Sequence, residues 1–196
     1  MFEADPKSVF LNVPYDSSYE PFFATLISTL VSLGQQPHCV LEVRERGQGR
    51  LERIYQLLRS CAISIHDLSR AGRTARYNMP FELGLACSFG LAGVPHEVLV
   101  LDTIRYRLDR TLSDYKGRDP LLYHGRVDGL VDCLADVFQT GPGPSPKALK
   151  EEARIFRKYA RQLGKEYGGT LFRPAAFRAL VAASTERAKE HGLIQV

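Results

Sequence analysis

The sequence has no tryptophan, only four cysteines and two methionines, and no long hydrophobic run. No stretch approaches the roughly 20 consecutive apolar residues that a membrane-spanning helix needs, which excludes a protein embedded by such helices. The first ten residues, MFEADPKSVF, lack the basic and apolar regions of a secretory signal. We therefore expect a cytoplasmic protein that has no membrane partner.

Metal-binding, disulfide and phosphate-loop patterns are also missing. The cysteines are 22, 26 and 46 residues apart and lie in apolar stretches, which is typical of buried reduced thiols. The five histidines have no metal-ligand spacing, and His66 is interpreted as a buried, hydrogen-bonded imidazole. There is no GxxxxGK[ST] loop, and residues 47–52 begin like GxGxxG but end in glutamate. The sequence thus predicts no metal, no cofactor, no P-loop nucleotidase and no Rossmann hydride-transfer enzyme.

Charge is unevenly distributed along the 196 residues. Residues 1–146 carry 15 basic and 17 acidic side chains, whereas residues 147–196 carry 11 basic and 5 acidic ones. Between the two parts, residues 140–146 (TGPGPSP) have a composition that interrupts helices. We predict an α/β domain over 1–139, a linker over 140–146 and a basic helical extension over 147–196. The extension fits a solvated basic face, or it meets nucleic acid, a nucleotide or an acidic partner surface. It does not favour sequence-specific binding of DNA.

Short apolar strands and helical segments alternate through the first domain. Strands are predicted over residues 8–13, 36–43, 62–68, 98–101 and 121–123, and apolar residues recur at helical spacing between most of them. This alternation is typical of a parallel sheet covered by helices on both faces. We expect five parallel strands, with a ligand bound beyond their carboxyl ends.

The basic extension contains a predicted pair of helices. Apolar residues of the first helix recur at steps of four and three, at Leu149, Ala153, Phe156, Ala160, Leu163 and Tyr167. The second helix begins near Pro174 and ends at Gly192. The stripe is too apolar to remain in water, so it packs either on the sheet domain or on another molecule. The second option predicts a homo-oligomer or a partner protein bound through residues 147–196.

Candidate binding residues follow the predicted strands. They are Asn12, Pro14, Tyr15 and Asp16 after the first strand, Glu42 and Arg44 at the end of the second, Asp67 at the end of the third, and Asn78 and Glu82 at the start of the next helix. An aspartate at a strand end commonly caps a turn, but several polar groups at one sheet edge suit a binding cleft. The loop after Asp67 adds Arg70, Arg73 and Arg76, a spacing that suits phosphate oxygens or a solubilising loop.

Glu82 is the most informative of these residues because it lies in the first turn of an otherwise apolar helix. A carboxylate there complements the helix dipole, a purely structural role that contributes about a few tenths of a kcal/mol. The same carboxylate, beside the small residues Gly84 and Ala86, can also face the positive charge that develops when a glycosidic bond breaks.

Residues 10–16 (FLNVPYD), 65–70 (IHDLSR) and 78–86 (NMPFELGLA) resemble the superfamily that joins nucleoside 2-deoxyribosyltransferases with Toll/interleukin receptor (TIR) domains, bacterial TIR-like defence proteins above all. The resemblance covers about residues 8–139 and implies a flavodoxin-like domain. In the transferases, the glutamate of an F-E-x-G-x-A segment is catalytic, which corresponds to Glu82, and a strand-end aspartate corresponds to Asp67. The chain departs from that pattern at residues 78–80 (NMP), where the transferases have Asp-x-Gly-Thr.

The resemblance implies an enzyme that cleaves or transfers at the N-glycosidic bond of a nucleotide, with NAD as substrate rather than cofactor, and a part in bacterial antiviral defence. TIR enzymes use one helical glutamate to release nicotinamide from NAD. By this resemblance Glu82 acts on the ribosyl centre, Asp67 orients ribose hydroxyls or handles a proton, and the other candidates bind the nucleotide. Two alternatives stay open: a nucleoside 2-deoxyribosyltransferase, and a non-catalytic scaffold or nucleotide-sensing module, since a fold does not fix function.

Overall fold

The chain alternates strands and helices. A computed structural model describes residues 4–42, 49–70, 77–115 and 117–194. The strands are β1 (Asp5–Asn12), β2 (Gln36–His38), β3 (Cys61–Asp67), β4 (Glu97–Asp102) and β5 (Leu121–Leu122). The helices are α1 (Glu20–Ser32), α2 (Arg50–Ser60), α3 (Asn78–Leu91), α4 (Arg107–Thr111), α5 (Val127–Phe138), α6 (Pro146–Glu166) and α7 (Pro174–Glu190).

The five strands form one all-parallel sheet in the order β2-β1-β3-β4-β5. This confirms the predicted parallel sheet, and the strand order is that of flavodoxin-like folds. The order reverses between β1 and β3, which pair with Leu11 opposite Ile65 and Asn12 opposite His66. The connections that leave these two strands run to opposite sides, which opens a crevice beyond their carboxyl ends.

Helices cover both faces of the sheet, as predicted. On one face, Val9 and Leu11 of β1 and Ile65 of β3 belong to a core shared with α1 and α5. On the other face, Phe10 of β1 packs with Leu58 of α2 and with residues of α3. Successive side chains of a strand point to opposite faces, so each strand contributes to both layers.

The second strand is shorter than its sequence predicts. We expected it over residues 36–43, but β2 ends at His38 and Val40–Glu42 form a 3-10 turn. The carboxylate of Glu42 accepts a hydrogen bond from the backbone N–H of Cys39 at 2.9 Å and lies 3.0 Å from Nδ1 of His38. These bonds close the turn, and the Glu42 carboxylate raises the pKa of His38. The expectation that Glu42 ends a strand is therefore wrong.

The C-terminal helices pack on their own chain as an outer layer over α1. Phe156 of α6 and Phe177 of α7 are buried in the same core as Ile27 of α1. Five members of the predicted stripe are at most 5% exposed: Leu149, Ala153, Phe156, Ala160 and Leu163. The stripe is thus covered in cis, which removes the reason to expect another molecule on it.

Hydrogen bonds and ion pairs hold α6 and α7 together and attach them to α1. The carboxylate of Glu152 in α6 accepts hydrogen bonds from Arg187 of α7 at 2.7 and 2.9 Å and lies 2.9 Å from Nδ1 of His191. The carboxylate of Glu20 in α1 accepts hydrogen bonds from the hydroxyl of Thr170 and the backbone N–H of Leu171, at 2.8 and 2.9 Å. The connection between α6 and α7 is therefore tied directly to the start of α1.

None of the helices in the described residues combines the length and the apolar character required to span a membrane. All four cysteines are free thiols. Cys39 and Cys61 are buried, as expected, whereas Cys87 and Cys133 are only half-buried.

Candidate functional site

A cavity of about 360 Å³ lies beyond the carboxyl end of β1, between that strand and the first residues of α2 and α3. It is lined by, among others, Asn12, Tyr15, Arg50, Asn78, Met79 and Glu82. We call it the Glu82 cavity. It lies where the strand order reverses, at the place where open parallel sheets bind ligands. Its volume falls in the usual range of small-molecule sites, roughly 300–1,000 Å³.

Glu82 is the only carboxylate among the described residues that line this cavity. The residue is 6% exposed, and burial raises the pKa of its carboxyl to about 7, an effect that the Arg50 guanidinium partly opposes. One guanidinium nitrogen of Arg50 lies 3.8 Å from Oε1 of Glu82. Within the described part of the chain, nothing donates a hydrogen bond to this carboxylate. Glu82 is therefore a desolvated carboxylate that can titrate near neutral pH and interact with a ligand.

Asn12, the last residue of β1, joins that strand to both β3 and α3. Its Nδ2 lies 3.0 Å from Nδ1 of His66 and 3.2 Å from the carbonyl oxygen of Met79. Because a carbonyl oxygen only accepts, the atom that faces Met79 is the amide nitrogen. Both amide hydrogens are used in this way, which orients the side chain of Asn12 in the wall of the cavity.

Tyr15 connects the cavity wall to the outer helical layer. Its ring lies 5.2 Å from the ring of Phe172, in the connection between α6 and α7. Burial raises the pKa of the Tyr15 hydroxyl, and the nearby Cys39 and Glu82 add to this effect. Tyr15 therefore remains a neutral hydroxyl at physiological pH.

The structure brings four of the predicted site residues together at the Glu82 cavity, namely Asn12, Tyr15, Asn78 and Glu82. Others lie elsewhere. Pro14 is buried beside the cavity without lining it, and Asp16 accepts a hydrogen bond from Ser18 at 2.6 Å. Glu42 lines a separate cavity of about 560 Å³ between β2 and α7. Arg44, Arg73 and Arg76 lie outside the described residues.

Asp67 does not lie beside Glu82, contrary to our expectation. It is 0% exposed and accepts hydrogen bonds from the hydroxyls of Tyr19 at 2.5 Å and Tyr123 at 3.0 Å, and from the backbone N–H of Ser69 at 2.8 Å. It shares the face of β3 that packs on α1 and α5, because it is two residues beyond Ile65. Asp67 therefore accepts its side-chain hydrogen bonds on the face away from the Glu82 cavity, and the neighbouring His66 points towards the cavity side instead. The catalytic role that the resemblance implies for Asp67 stays a prediction.

Arg70 lies on a third cavity, of about 290 Å³, rather than on the Glu82 cavity. Its guanidinium donates a hydrogen bond to the hydroxyl of Ser18 at 2.7 Å. Arg107 lines the same third cavity. It forms a bidentate ion pair with Asp102 and donates hydrogen bonds to the carbonyls of Leu68 and Ser69. Arg70, which was predicted to bind phosphate, thus lies on a different cavity from Glu82.

Two features of the site were not predicted from the sequence: Arg50 and the line of polar side chains behind Asn12. His66 is fully buried, as predicted, and its Nε2 lies 3.0 Å from the hydroxyl oxygen of Ser64. That oxygen lies 2.9 Å from Nε2 of His96. Ser64 and His66 are two residues apart on one strand, and the period of a strand therefore predicts that their side chains share a face. Nothing in the sequence spacing indicates that Arg50, at the start of α2, approaches α3.

Comparisons with family models, with curated proteins and with solved structures found no match to this chain. In the described ranges, no group of three or more His, Cys, Asp or Glu side chains is placed to hold a metal ion. We therefore infer the function from the geometry of the Glu82 cavity.

Proposed function

We propose that the chain binds a nucleotide in the Glu82 cavity and cleaves its N-glycosidic bond, with NAD as the leading substrate. The observation that carries this proposal is the position of Glu82, a 6% exposed carboxylate in a cavity at the strand-order reversal. A desolvated carboxylate interacts more strongly with nearby positive charge than an exposed one does. Breaking a glycosidic bond generates such charge on the ribosyl ring.

The proposed step balances without a general acid. The bond between C1′ of the ribose and the pyridinium nitrogen breaks, and its electron pair stays on nitrogen, so nicotinamide leaves as a neutral molecule. Water then adds to C1′ and loses a proton, which gives ADP-ribose. Glu82 stabilises the oxocarbenium-like centre or forms a transient bond to it.

The position of Asp67 supports NAD over purine nucleosides. A purine leaves readily only when an acid protonates it, whereas nicotinamide needs no proton. Since Asp67 is bonded to Tyr19 and Tyr123 on the other face of the sheet, Glu82 is the one described carboxylate in the cavity. A single carboxylate is therefore sufficient for a leaving group that departs without a proton.

The charged groups at the mouth of the cavity also favour a nucleotide that carries both a positive and a negative charge. Arg50 is half-exposed there and can approach a phosphate, while the ring of Tyr77, which is 79% exposed, offers a surface for a base. The positive ring of NAD would lower the pKa of Glu82 on binding, because an opposite charge favours the ionised form. Substrate binding would then convert Glu82 to the carboxylate that the reaction needs.

The test is to incubate the full chain with NAD, deoxynucleosides and other nucleotides in parallel and to separate the products by chromatography. We expect nicotinamide and ADP-ribose, or its cyclised form, from NAD with the wild-type chain. Glu82→Gln should release none, and Glu186→Gln, a change at an exposed position of α7, should behave like the wild type.

Each of the other outcomes contradicts the proposal in a recognisable way. Exchange of bases between deoxynucleosides would favour a 2-deoxyribosyltransferase. Binding of NAD in calorimetry without turnover would favour a sensing module. Absence of both binding and turnover with every nucleotide would favour a scaffold.

A further inference from the structure

Four side chains form a continuous line of hydrogen bonds from the Glu82 cavity along one face of β3 towards the start of that strand. Nδ2 of Asn12 contacts Nδ1 of His66 at 3.0 Å, and Nε2 of His66 contacts the hydroxyl of Ser64 at 3.0 Å. That hydroxyl contacts Nε2 of His96 at 2.9 Å, and Nδ1 of His96 contacts the carbonyl oxygen of Cys61 at 3.0 Å. Asn12, Ser64 and His66 are buried, whereas His96 is partly exposed.

The two carbonyl oxygens at its ends fix the direction of this line. The oxygen of Cys61 only accepts, so Nδ1 of His96 donates, and Nε2 of a neutral His96 accepts from the Ser64 hydroxyl. Ser64 has then used its hydrogen and accepts from Nε2 of His66, which leaves Nδ1 of His66 as an acceptor. Asn12 must donate to that nitrogen, and the carbonyl of Met79 independently requires a donor from the same amide.

The direction determines what Asn12 offers to a ligand. With both amide hydrogens engaged, only Oδ1 is left, and no described residue donates to it. Asn12 and Glu82 line the same cavity and both present oxygen acceptors. A pair of acceptors suits a ligand that brings hydroxyl donors, such as the vicinal diol of a ribose.

We propose that Ser64, His66 and His96 are positioning residues that hold Asn12 as an acceptor for the sugar hydroxyls of the substrate, and that protonation of His96 reverses this orientation. The inference rests on the proposed function, whose nucleotide supplies the diol.

The reversal follows from hydrogen-bond directions and from the burial of Ser64. A protonated His96 donates from Nε2 and so no longer accepts the hydroxyl hydrogen of Ser64. Ser64 is fully buried, and its side-chain partners among the described residues are the two histidines, so the hydroxyl turns and donates to Nε2 of His66. The proton of His66 then resides on Nδ1, where it opposes the donor of Asn12. Rotation of the Asn12 amide relieves this conflict at the cost of its hydrogen bond to the Met79 carbonyl, and it places the NH2 group in the cavity and removes the acceptor.

Both histidines are neutral at physiological pH, so the accepting orientation is the resting one. Burial lowers the pKa of His66 to about 3 and also lowers the pKa of His96. The groups around His96 are the ring of Phe89, the side chains of Cys87, Asp114, Tyr115 and Arg118 in the adjoining cavity, and His66 across Ser64. His96 is the member of the line that solvent protons reach first, because the others are buried.

The test combines histidine nitrogen NMR on the full chain with NAD binding by a Glu82→Gln variant, which removes the titration of Glu82. At pH 7.5 we expect His66 to carry its proton on Nε2 and His96 on Nδ1. On acidification, the His66 resonances should change tautomer together with the titration of His96. The dissociation constant of NAD should rise by about tenfold over the same range, the effect of losing one hydrogen bond.

Two further variants provide the controls. His96→Gln in the same background stays neutral and can still accept from Ser64, so NAD affinity should become independent of pH. Ser64→Ala breaks the line and should uncouple the His66 tautomer from the His96 titration. A His66 proton on Nδ1 at pH 7.5, or a tautomer that ignores His96, overturns the inference whatever ligand binds. Failure of NAD to bind any variant, with the NMR result as expected, rejects the sugar contact together with the proposed function.

Discussion

The guanidinium of Arg50 lies 3.8 Å from Oε1 of Glu82 and so joins the first turn of α2 to the second turn of α3. The expectation that Glu82 lies in the first turn of its helix is wrong, because α3 already begins at Asn78. The two residues come from segments that are far apart in the chain and meet only at the carboxyl edge of β1. Because Arg50 is half-exposed, solvent weakens its attraction for the carboxylate, and burial dominates the pKa of Glu82.

Replacing Glu82 by Gln should abolish NAD cleavage while the fold is retained, because Gln keeps the shape and removes the charge. Losing one preorganised electrostatic group costs about 100-fold or more in kcat. Nicotinamide release measures activity, and circular dichroism with thermal melting measures the fold. Activity within a few-fold of wild type would reject Glu82 as the catalytic group.

The rate should increase with pH through about 7, since the ionised form of Glu82 is the active one and burial raises its pKa to about 7. Arg50→Gln should move this rise to higher pH, because the Arg50 charge lowers the pKa of Glu82. Arg50→Lys retains the charge and is the matched control. The measurement is kcat/KM for NAD from pH 5 to 9, and an unchanged midpoint in Arg50→Gln would contradict the electrostatic link.

Glu82→Gln should also stabilise the protein above neutral pH. The folded pKa of about 7 lies above the ordinary 4.5, so the folded state binds more protons between these values and its stability falls as pH rises. Gln removes a cost of at most about 3 kcal/mol, corresponding to this pKa difference. Urea unfolding at pH 8 and pH 4 should show a gain at the higher pH that disappears at the lower one. Equal gains at both values would indicate that charge is not the cause.

Asp67→Ala should destabilise the fold and leave the chemistry largely intact. It deprives the buried hydroxyls of Tyr19 and Tyr123 of their acceptor, at a cost of roughly 2–5 kcal/mol. The unfolding free energy from urea titration tests the first effect, and kcat per folded molecule tests the second. A large loss of kcat in a fully folded variant would restore Asp67 to the catalytic machinery.

Phe156→Ala should destabilise the chain by about 3–5 kcal/mol, as expected for a fully buried phenylalanine. Tyr159→Ala is the matched control, since Tyr159 lies on the same helix and is 42% exposed. Light scattering should give the same mass for both folded variants and the wild type, because the α6 stripe is covered by its own chain. A mass that falls only in Phe156→Ala would show that the stripe also joins subunits.

The alternation of apolar strands and helices was sufficient to predict the parallel sheet, and the F-E-x-G-x-A segment was sufficient to single out Glu82. Asp67 was expected at the same site as Glu82 because strand ends were treated as one edge without regard to face. Ile63 and Ile65 alternate with Ser64 and His66 and already indicate which face is apolar. The approach of Arg50 to Glu82 could not be predicted, since it depends on how α2 and α3 are placed in space.

The contact between Tyr15 and Phe172 links the connection between α6 and α7 to the wall of the cavity. One residue reaches the cavity from the strand side, and its ring rests on the segment that joins α6 to α7. Anything that loosens the outer layer therefore changes the shape of the cavity without touching Glu82. The last fifty residues thus support the wall of the cavity and also cover α1. Their charge differs strongly from that of the rest of the chain.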